Sequence, residues 1–454
     1  MSTSARPTGP VVNVTDVVDR APLSALHWRV FALCMACLVM DGFDVQALGY
    51  AAPSIIRDWN VPNAALGPVF AAANFGVLLG ALLCSMLADR IGRRPVILGA
   101  TVFFGALTLL TARATTVGEL LLMRWLSGIG LGTIVSNASS LVGEYSSKRL
   151  RARMIMYAGV GFTAGAAFGG FIAAELIPTY GWTSVFYFGG AVPILIAAIM
   201  SVALPESVQF LAIRGTNPTS LARWLTQIDP TVQATPESTF VVTEEHNPGV
   251  PIVHLFREGR ALATVLFWVA NFMNLVNLYS LASWLPTVVR DAGYSAQTGV
   301  LVGTVLQVGG TIGTIGLASL VARGGFVRVM SATFVVAAFS VGLIGQPGLS
   351  LTLLYGVVFV AGWCVVGSQP GLNALSGAFY PTYIRATGVG AGLGVGRIGA
   401  IVGPMIGGAF MAAHWTTRDM FLAAAVPAGI SAVAMFLLRF VISPDLGRTA
   451  RGGS

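Results

Sequence analysis

Charged side chains are scarce in this sequence: Asp, Glu, Lys and Arg make up 10% of its 454 residues, against about 25% in an average soluble domain. Because a soluble globule of this size needs a charged and polar exterior, the composition excludes one. Apolar residues reach 55%, which excludes a disordered chain, and the 55 glycines follow no G-X-Y period, which excludes collagen. The sequence therefore predicts a polytopic membrane protein.

Cysteine and histidine are also few. The four cysteines, Cys34, Cys37, Cys84 and Cys364, lie in apolar runs, so we expect packing thiols rather than disulfide bonds or a redox pair. The four histidines are scattered without the spacing of metal ligands, and we expect no metal and no cofactor. The pattern of a signal peptide is missing, because residues 1–28 are polar and the first apolar run is long enough to span a bilayer.

Twelve apolar runs reach the length of about 20 residues that a membrane-spanning helix needs. They lie near 29–52, 65–88, 95–113, 118–142, 154–176 and 183–204, and near 261–285, 297–320, 327–345, 351–376, 386–413 and 419–441. We predict an all-α membrane protein with 12 transmembrane helices in two six-helix bundles, 29–204 and 261–441. A connector at 205–260 joins them, and tails at 1–28 and 442–454 flank them.

Basic residues are distributed unevenly between alternate loops. If both termini are cytoplasmic, 20 of the 26 Lys and Arg residues lie in cytoplasmic segments and 4 in external ones. Because Lys and Arg accumulate on the cytoplasmic side of membrane proteins, this ratio predicts cytoplasmic tails and a cytoplasmic connector. It also explains the net charge of +8 without nucleic acid as a partner.

The two halves contain matching motifs. Three motifs recur at an almost constant offset along the chain: 87–92 with 320–325, 150–153 with 384–387, and the G-x-x-x-G of 165–169 with that of 399–403. The repeat predicts two bundles related by a pseudo-twofold axis along the membrane normal, a geometry that suits alternating access to a site near the midplane. Glycines allow close helix approach in membranes, so we expect the glycine-rich fifth and eleventh runs to pack across a bundle interface.

Charges inside a membrane span are costly and mark functional candidates. Asp41 and Asp44 share a helix face, about 18 and 22 Å from the cytoplasmic end of the first run. Two neighbouring carboxylates in a low dielectric resist double ionisation, so we expect one to carry a proton. Arg124 lies at the depth of Asp44 and is its expected counter-charge, in a pair that breaks on protonation. The alternative is a hydrogen bond that only packs helices.

Arg397 is a second buried cation, about 16 Å into the eleventh run. No acidic residue lies deep in the C-terminal half to neutralise it, so we expect it to bind a substrate carboxylate, whose geometry fits a guanidinium. A structural contact and a gating role are the alternatives, and Arg124 is the other candidate for the carboxylate. Amide and aromatic side chains suit a flat, hydroxylated ring: Asn271, Asn274, Asn277, Trp363, Gln369 and Asn373. Trp284 is expected in the aromatic belt at the membrane surface.

Charges at the cytoplasmic ends of the runs are candidates for a gate. Asp89 precedes three arginines and adds nothing to orientation, so we expect it to pair with a helix end or an arginine in one conformation only. Glu144 is expected to pair with Arg149, Arg151 or Arg153. The candidate gating residues are Asp89, Arg90, Arg93, Arg94, Glu144 and Arg385.

Several of these motifs match known families. D-G-F-D at 41–44, L-A-D-R-I-G-R-R at 87–94 and the R-x-x-x-G-x-G-x-G that begins at Arg124 resemble the major facilitator superfamily. The D-G-F-D element, with S-W-L-P-T at 283–287 and R-A-T-G at 385–388, resembles more narrowly the aromatic acid:proton symporter family. Ser85 replaces the usual glycine of the loop motif, and Ala322 replaces the aspartate of its second copy. A second gate is therefore expected to be weaker or latched differently.

The resemblance implies a monomeric symporter of the bacterial inner membrane that imports benzoate, hydroxybenzoate, protocatechuate or a related acid with protons. It assigns the coupling to Asp41 and Asp44. A transporter of another solute class, such as a dicarboxylate, a sugar or an exported drug, is the alternative. An enzyme such as an intramembrane aspartyl protease is disfavoured, because its two aspartates need facing helices and these two share one.

Overall fold

The computed structural model describes residues 10–242 and 252–441. Residues 1–9 of the N-terminal tail, 243–251 of the connector and the tail 442–454 lie outside the described residues. In the described ranges, 12 helices are long and apolar enough to cross a membrane, which confirms the predicted fold class. Spans 1 to 6 are Ala25–Trp59, Gly67–Ile91, Arg93–Thr111, Val117–Glu144, Lys148–Tyr180 and Thr183–Ala203. Spans 7 to 12 are Ala261–Asp291, Ala296–Gly324, Phe326–Ile344, Leu351–Phe379, Thr382–Ala412 and Thr417–Val441.

Breaks between spans follow local backbone chemistry. Gly92 separates spans 2 and 3 with φ of 104°, and Gly325 separates spans 8 and 9 with φ of 82°. These values lie in the left-handed region, where a side chain is strained, so both copies of the loop motif need glycine. Span 10 is interrupted between the helices Leu351–Val365 and Ser368–Phe379.

The glycine-rich faces pack within each bundle. A Cβ atom on Gly165 of span 5 would overlap the Val39 carbonyl of span 1, and one on Gly403 of span 11 would overlap the Val276 carbonyl of span 7. The expectation that spans 5 and 11 pack across the bundle interface is confirmed, because span 5 packs on span 8 and span 11 on span 2. These glycines do not make those contacts, and span 5 meets span 8 through a different face, at Gly170. Each of these helices packs against a helix of its own bundle on one side and a helix of the other bundle on another side. Its glycines lie on the side of its own bundle, where the backbones approach more closely.

The two bundles meet at one end of the molecule, here termed the distal face, which carries the 3-10 turn Asn63–Leu66 and the end of span 7. Asn63 Nδ2 donates to Asp291 Oδ2 at 2.6 Å, and the Arg290 guanidinium donates to the Pro53 carbonyl. At the opposite end, the terminal face, each ion pair that the described residues form joins residues of the same bundle. The structure is therefore closed at the distal face.

A small ordered layer covers the terminal face of the N-terminal bundle. Strand β1 (Val11–Asn13) pairs in parallel with β2 (Thr239–Val241). The short helices Val14–Arg20, Val208–Arg214 and Pro218–Ile228 pack beside one another there. The described part of the N-terminal tail and the connector up to residue 242 are thus attached to the N-terminal bundle, whereas the 3-10 turn Ile252–Phe256 of the connector packs on spans 7 and 11 of the C-terminal bundle.

Candidate functional site

Asp44 and Arg124 form a buried ion pair between spans 1 and 4. Arg124 Nη1 donates to Asp44 Oδ1 at 2.8 Å and Nη2 to Oδ2 at 2.6 Å, with side-chain exposures of 1% and 0% for Arg124 and Asp44. Nη2 also donates to the Asp44 carbonyl at 3.2 Å. This two-point geometry offsets the cost of burying both charges. The equal depth of the two residues thus corresponds to a direct contact, and its opening on protonation stays a prediction.

Asp41 turns away from this pair, because residues three apart on a helix differ by about 60° in direction. It is 4% exposed, and no hydrogen bond or ion pair to its carboxylate is formed within residues 10–242 and 252–441. The charge of Arg397, in span 11 of the other bundle, acts on it across the interface. Arg397 was expected to lack an acidic neighbour in its own half, and Asp41 supplies one from the opposite half.

Arg397 is half-buried and donates from Nη1 to the Tyr279 hydroxyl at 3.2 Å. No carboxylate in the described part of the chain lies within ion-pair distance of it. The hydrogen bond to Tyr279 is the one that the structure shows for this guanidinium among the described residues, and its other N–H groups are left as donors. A cation with free donors, a carboxylate and a phenol meet at this point between spans 1, 7 and 11.

Sequence reasoning missed Gln46, although the internal repeat relates it to Tyr279: the same offset joins Gln46 to Tyr279 and Pro53 to Pro286. Pro286 has no N–H, so the Ala282 carbonyl four residues earlier lacks its helical donor. Gln46 Nε2 donates to this carbonyl at 3.2 Å from the other bundle. The repeated proline was the signal that could have found this contact.

Three of the predicted amides form a chain between spans 7 and 10. Gln369 Nε2 donates to Asn271 Oδ1 at 2.8 Å, and Asn274 Nδ2 donates to Gln369 Oε1 at 2.8 Å. Asn274 also donates to the Val365 carbonyl at 3.2 Å. That carbonyl lies at the break in span 10, where carbonyls lose their helical donors. The amides therefore fix the broken helix beside the interface.

Other predicted substrate-binding residues lie elsewhere. Asn277 faces a pocket between spans 7, 11 and 12, so the expectation that it joins Asn271 and Asn274 at one site is wrong. Residues two apart on a helix differ by about 200° in direction, which turns Asn277 away from Tyr279. Trp363 packs over Gly316 of span 8. Asn373 is half-buried, and no hydrogen bond of its side chain is formed within the described residues.

Trp284 is 3% exposed, so the prediction that it belongs to the surface belt is wrong. Its Nε1 donates to the Pro404 carbonyl at 2.9 Å. Phe70 of span 2 packs edge-on against it, with ring centroids 5.2 Å apart. Trp284 therefore forms part of the closed distal face.

Arg93 of the loop motif pairs with two acidic residues inside the N-terminal bundle. Arg93 Nη2 pairs with Asp89 Oδ1 at 2.9 Å, and its Nε pairs with Glu144 Oε1 at 3.2 Å. The prediction that Glu144 pairs with an arginine of 149–153 is therefore wrong. Span 3 begins directly after the Gly92 turn, which directs Arg93 back toward span 4, while Arg151 donates to a backbone carbonyl.

Glu206, which sequence reasoning did not select, organises the same loop. Its Oε1 accepts the backbone N–H groups of Arg93, Arg94 and Ser207 at 2.9, 3.1 and 2.8 Å. Two of these belong to the first turn of span 3, where N–H groups lack helical partners. The signal was an acidic residue directly after the end of the sixth apolar run.

The remaining gating candidates contact backbone or are exposed. Arg94 donates to the Ser201 carbonyl, Arg385 Nε donates to the Tyr380 carbonyl at 3.3 Å, and Arg90 is exposed. Ser85 lies outside the side chains that the structure describes. The gating roles of Asp89, Arg90, Arg93, Arg94, Glu144 and Arg385 stay predictions.

Metal binding has no support in the part of the chain that is described, where no three His, Cys, Asp or Glu residues are grouped to hold an ion. Away from the distal contacts of Asp291 and Arg290, the charged groups described at the bundle interface are Asp41 and Arg397. They are suited to a proton and an anion.

Comparison with known proteins shows the family of this chain. The family model of the Major Facilitator Superfamily matches residues 34–348 and 267–454. The chain belongs to the major facilitator superfamily. This family consists of transporters, so the chain is a transporter and not an enzyme.

The similar proteins show which group of major facilitators this chain is related to. It is 37% identical over 447 residues to the 4-hydroxybenzoate transporter PcaK of Pseudomonas putida, covering 98% of this chain and 100% of the other. It is 36% identical to the gallate transporter of Pseudomonas putida, covering 94% and 95%. These relatives confirm the resemblance to the aromatic acid family. A crystal structure of a D-xylose–proton symporter, with TM-score 0.71 and 16% identity over 92% of this chain and 99% of that one, shares the fold.

Proposed function

We propose that this transporter imports an aromatic carboxylate with protons across the bacterial inner membrane by alternating access. The names of its relatives support the substrate class, since 4-hydroxybenzoate and gallate each carry a carboxylate on a hydroxylated ring. The observation that carries the proposal is the Arg397 guanidinium. It faces Asp41 across the bundle interface and has N–H donors left over beside Tyr279.

Coupling of substrate to protons follows because the substrate carboxylate and Asp41 compete for the positive charge of Arg397. A substrate carboxylate that binds Arg397 in two-point geometry takes over the positive charge that faces Asp41. Asp41 is then a buried carboxylate without compensation, which favours its uptake of a proton. Binding of substrate and binding of a proton therefore favour each other, as symport requires.

The direction of transport follows from the predicted orientation. With both termini in the cytoplasm, as the distribution of Lys and Arg predicts, the closed distal face is external. The structure is then closed toward the outside, and we expect substrate and proton to be released at the cytoplasmic side. Reopening of the distal contacts Asn63–Asp291 and Arg290–Pro53 would return the site to the outside.

Uptake of radiolabelled 4-hydroxybenzoate into proteoliposomes tests the proposal. Under an inward proton gradient, the unaltered protein is expected to accumulate the label. Asp41→Asn is expected to lose accumulation and keep exchange of labelled for unlabelled substrate, because exchange needs no net proton movement. Asp58→Asn, the same change at an exposed position of span 1, is the matched control and accumulates normally.

Two results would contradict the proposal. Normal accumulation by Asp41→Asn would remove this residue from the coupling step. Uptake of a sugar or a dicarboxylate, with no uptake of any aromatic acid, would identify another substrate class.

A further inference from the structure

Spans 11 and 12 both pack on span 7 but hardly on each other, which leaves a groove between them. The groove leads to a cavity of about 300 Å³. Apart from Asn277, Ser280 and the indole N–H of Trp284, the groups that line it are apolar. Four aromatic rings contribute to its wall: Phe272, Trp284, Phe410 and Phe421.

Asn277 is the unusual member of this lining. It is 1% exposed, and neither its Nδ2 nor its Oδ1 has a hydrogen-bond partner in the described part of the chain. A buried amide without partners is unfavourable, and a shape-matched leucine would avoid the cost. The Asn277 amide therefore has a donor and an acceptor that no group of the described residues satisfies.

The internal repeat shows why the amide has no partner. Asn277 is the repeat counterpart of Asp44, at the matching point of span 7. Asp44 is held by Arg124 of span 4, whereas the matching positions of span 10, 357 and 358, are both valine. The C-terminal bundle thus keeps a polar group at this depth without the cation that satisfies it in the N-terminal bundle.

We propose that this cavity binds an undissociated aromatic carboxylic acid that enters from the bilayer. The acid O–H and C=O complement the acceptor and donor of one amide, whereas a carboxylate would leave Oδ1 without a donor and bring a charge into an apolar cavity. The surrounding rings suit an aromatic ligand, and about 150 Å³ already accommodates benzene. Val426 and Ile430 at the rim are exposed apolar side chains, 57% and 37%, which suits entry of a neutral molecule from lipid.

Benzamide is the probe that tests this site. It carries the same adjacent donor and acceptor, stays neutral, and lacks the carboxylate that the proposed transport site binds, so the result does not depend on the proposed transport. Calorimetry on the full-length protein in detergent is expected to show saturable binding that does not vary between mildly acidic and mildly alkaline pH. In an Arg397→Gln background, benzoic acid is expected to bind more weakly as pH rises, because the ligand loses the proton that the site requires. None of the residues that line the cavity titrates, so the ligand alone sets this pH dependence.

Three variants separate the outcomes. Asn277→Leu is expected to weaken benzamide binding by about tenfold or more, through loss of two hydrogen bonds, without lowering thermal stability. Ala424→Phe, which fills the cavity, is expected to abolish binding, and Arg397→Gln to leave it unchanged. Equal binding by the unaltered protein and Asn277→Leu would overturn the proposal, and so would loss of binding in Arg397→Gln. No benzamide binding at all, with co-purified phospholipid lost in Ala424→Phe, would show that an acyl chain fills the groove and would equally overturn it.

Discussion

At the scale of single residues, the two aspartates of span 1 do different things although they lie one helical turn apart. Asp44 is fully engaged by Arg124, and this pair holds spans 1 and 4 together. Asp41 is equally buried but faces the other bundle. A change of charge at Asp44 should therefore affect stability, and one at Asp41 should affect coupling.

Asp44→Asn is expected to lower the free energy of unfolding by about 3–5 kcal/mol, because it leaves the Arg124 guanidinium buried without a counter-charge. The double change Asp44→Leu with Arg124→Leu removes both charges and is expected to cost less. Thermal denaturation in detergent compares them, with Asp41→Asn as the matched control that melts close to the unaltered protein. Equal loss in the single and double variants would mean that shape, and not charge, holds these spans.

Arg397 allows a test of how the substrate is held. Arg397→Lys keeps the positive charge but loses the two-point fork, so the apparent affinity for 4-hydroxybenzoate is expected to fall on the order of tenfold. Arg397→Gln also loses the charge and is expected to weaken it on the order of 100-fold. Competition binding measures both, and Arg418→Gln at the exposed start of span 12 is the control. Unchanged affinity in Arg397→Gln would move the carboxylate to another cation, with Arg124 the next candidate.

At the scale of helices, hydropathy predicts depth well and direction around the helix axis poorly. All 12 spans and the pairing of Asp44 with Arg124 follow from depth alone. The direction of the Asn277 side chain and the packing of Gly165 on span 1 depend on how each helix is rotated about its own axis. Apolar runs that are buried on several sides do not specify this rotation. The counter-charge of Arg397 comes from the opposite bundle, where a search within one half could not find it.

The contact of Gln46 with Ala282 yields a prediction for the closed distal face. Gln46→Leu leaves the Ala282 carbonyl without a donor and is expected to loosen the contact of span 1 with span 7. Pro286→Ala restores an N–H that can donate to the same carbonyl within span 7, so the double variant is expected to return toward normal closure.

The readout is the reactivity of Ala64→Cys, introduced into each protein in the 3-10 turn of the distal face, toward a membrane-impermeant maleimide. Labelling is expected to be several-fold faster in Gln46→Leu and near the starting value in the double variant. If the double variant labels as fast as Gln46→Leu, the freed carbonyl is not what Gln46 satisfies. Gln297→Leu, at another contact between the bundles, provides the comparison.

At the scale of the whole molecule, the two bundles repeat in backbone and differ in charge. Pro53 and Pro286 occupy matching positions of the repeat, and so do the loop glycines Gly92 and Gly325. The acids of span 1 have amide counterparts in span 7, Asn274 and Asn277. The N-terminal bundle therefore holds the groups suited to a proton, and the C-terminal bundle holds a cation and amides suited to an anion. In the proposed mechanism, joint movement of the two bundles couples the two.

This division predicts the number of protons. Of the two buried acids, Asp41 alone lacks a direct ion pair among the described residues, because Arg124 holds Asp44, so we expect one proton for each substrate monoanion. Such a cycle moves no net charge, and uptake is driven by the pH gradient alone, at about 1.4 kcal/mol per pH unit. A second proton would add about 2.3 kcal/mol per 100 mV. A potassium potential set with valinomycin should therefore leave initial uptake in proteoliposomes unchanged, after correction for liposomes without protein. Faster uptake with a negative interior would instead mean that Asp44 also takes a proton and that its pair with Arg124 opens during every cycle.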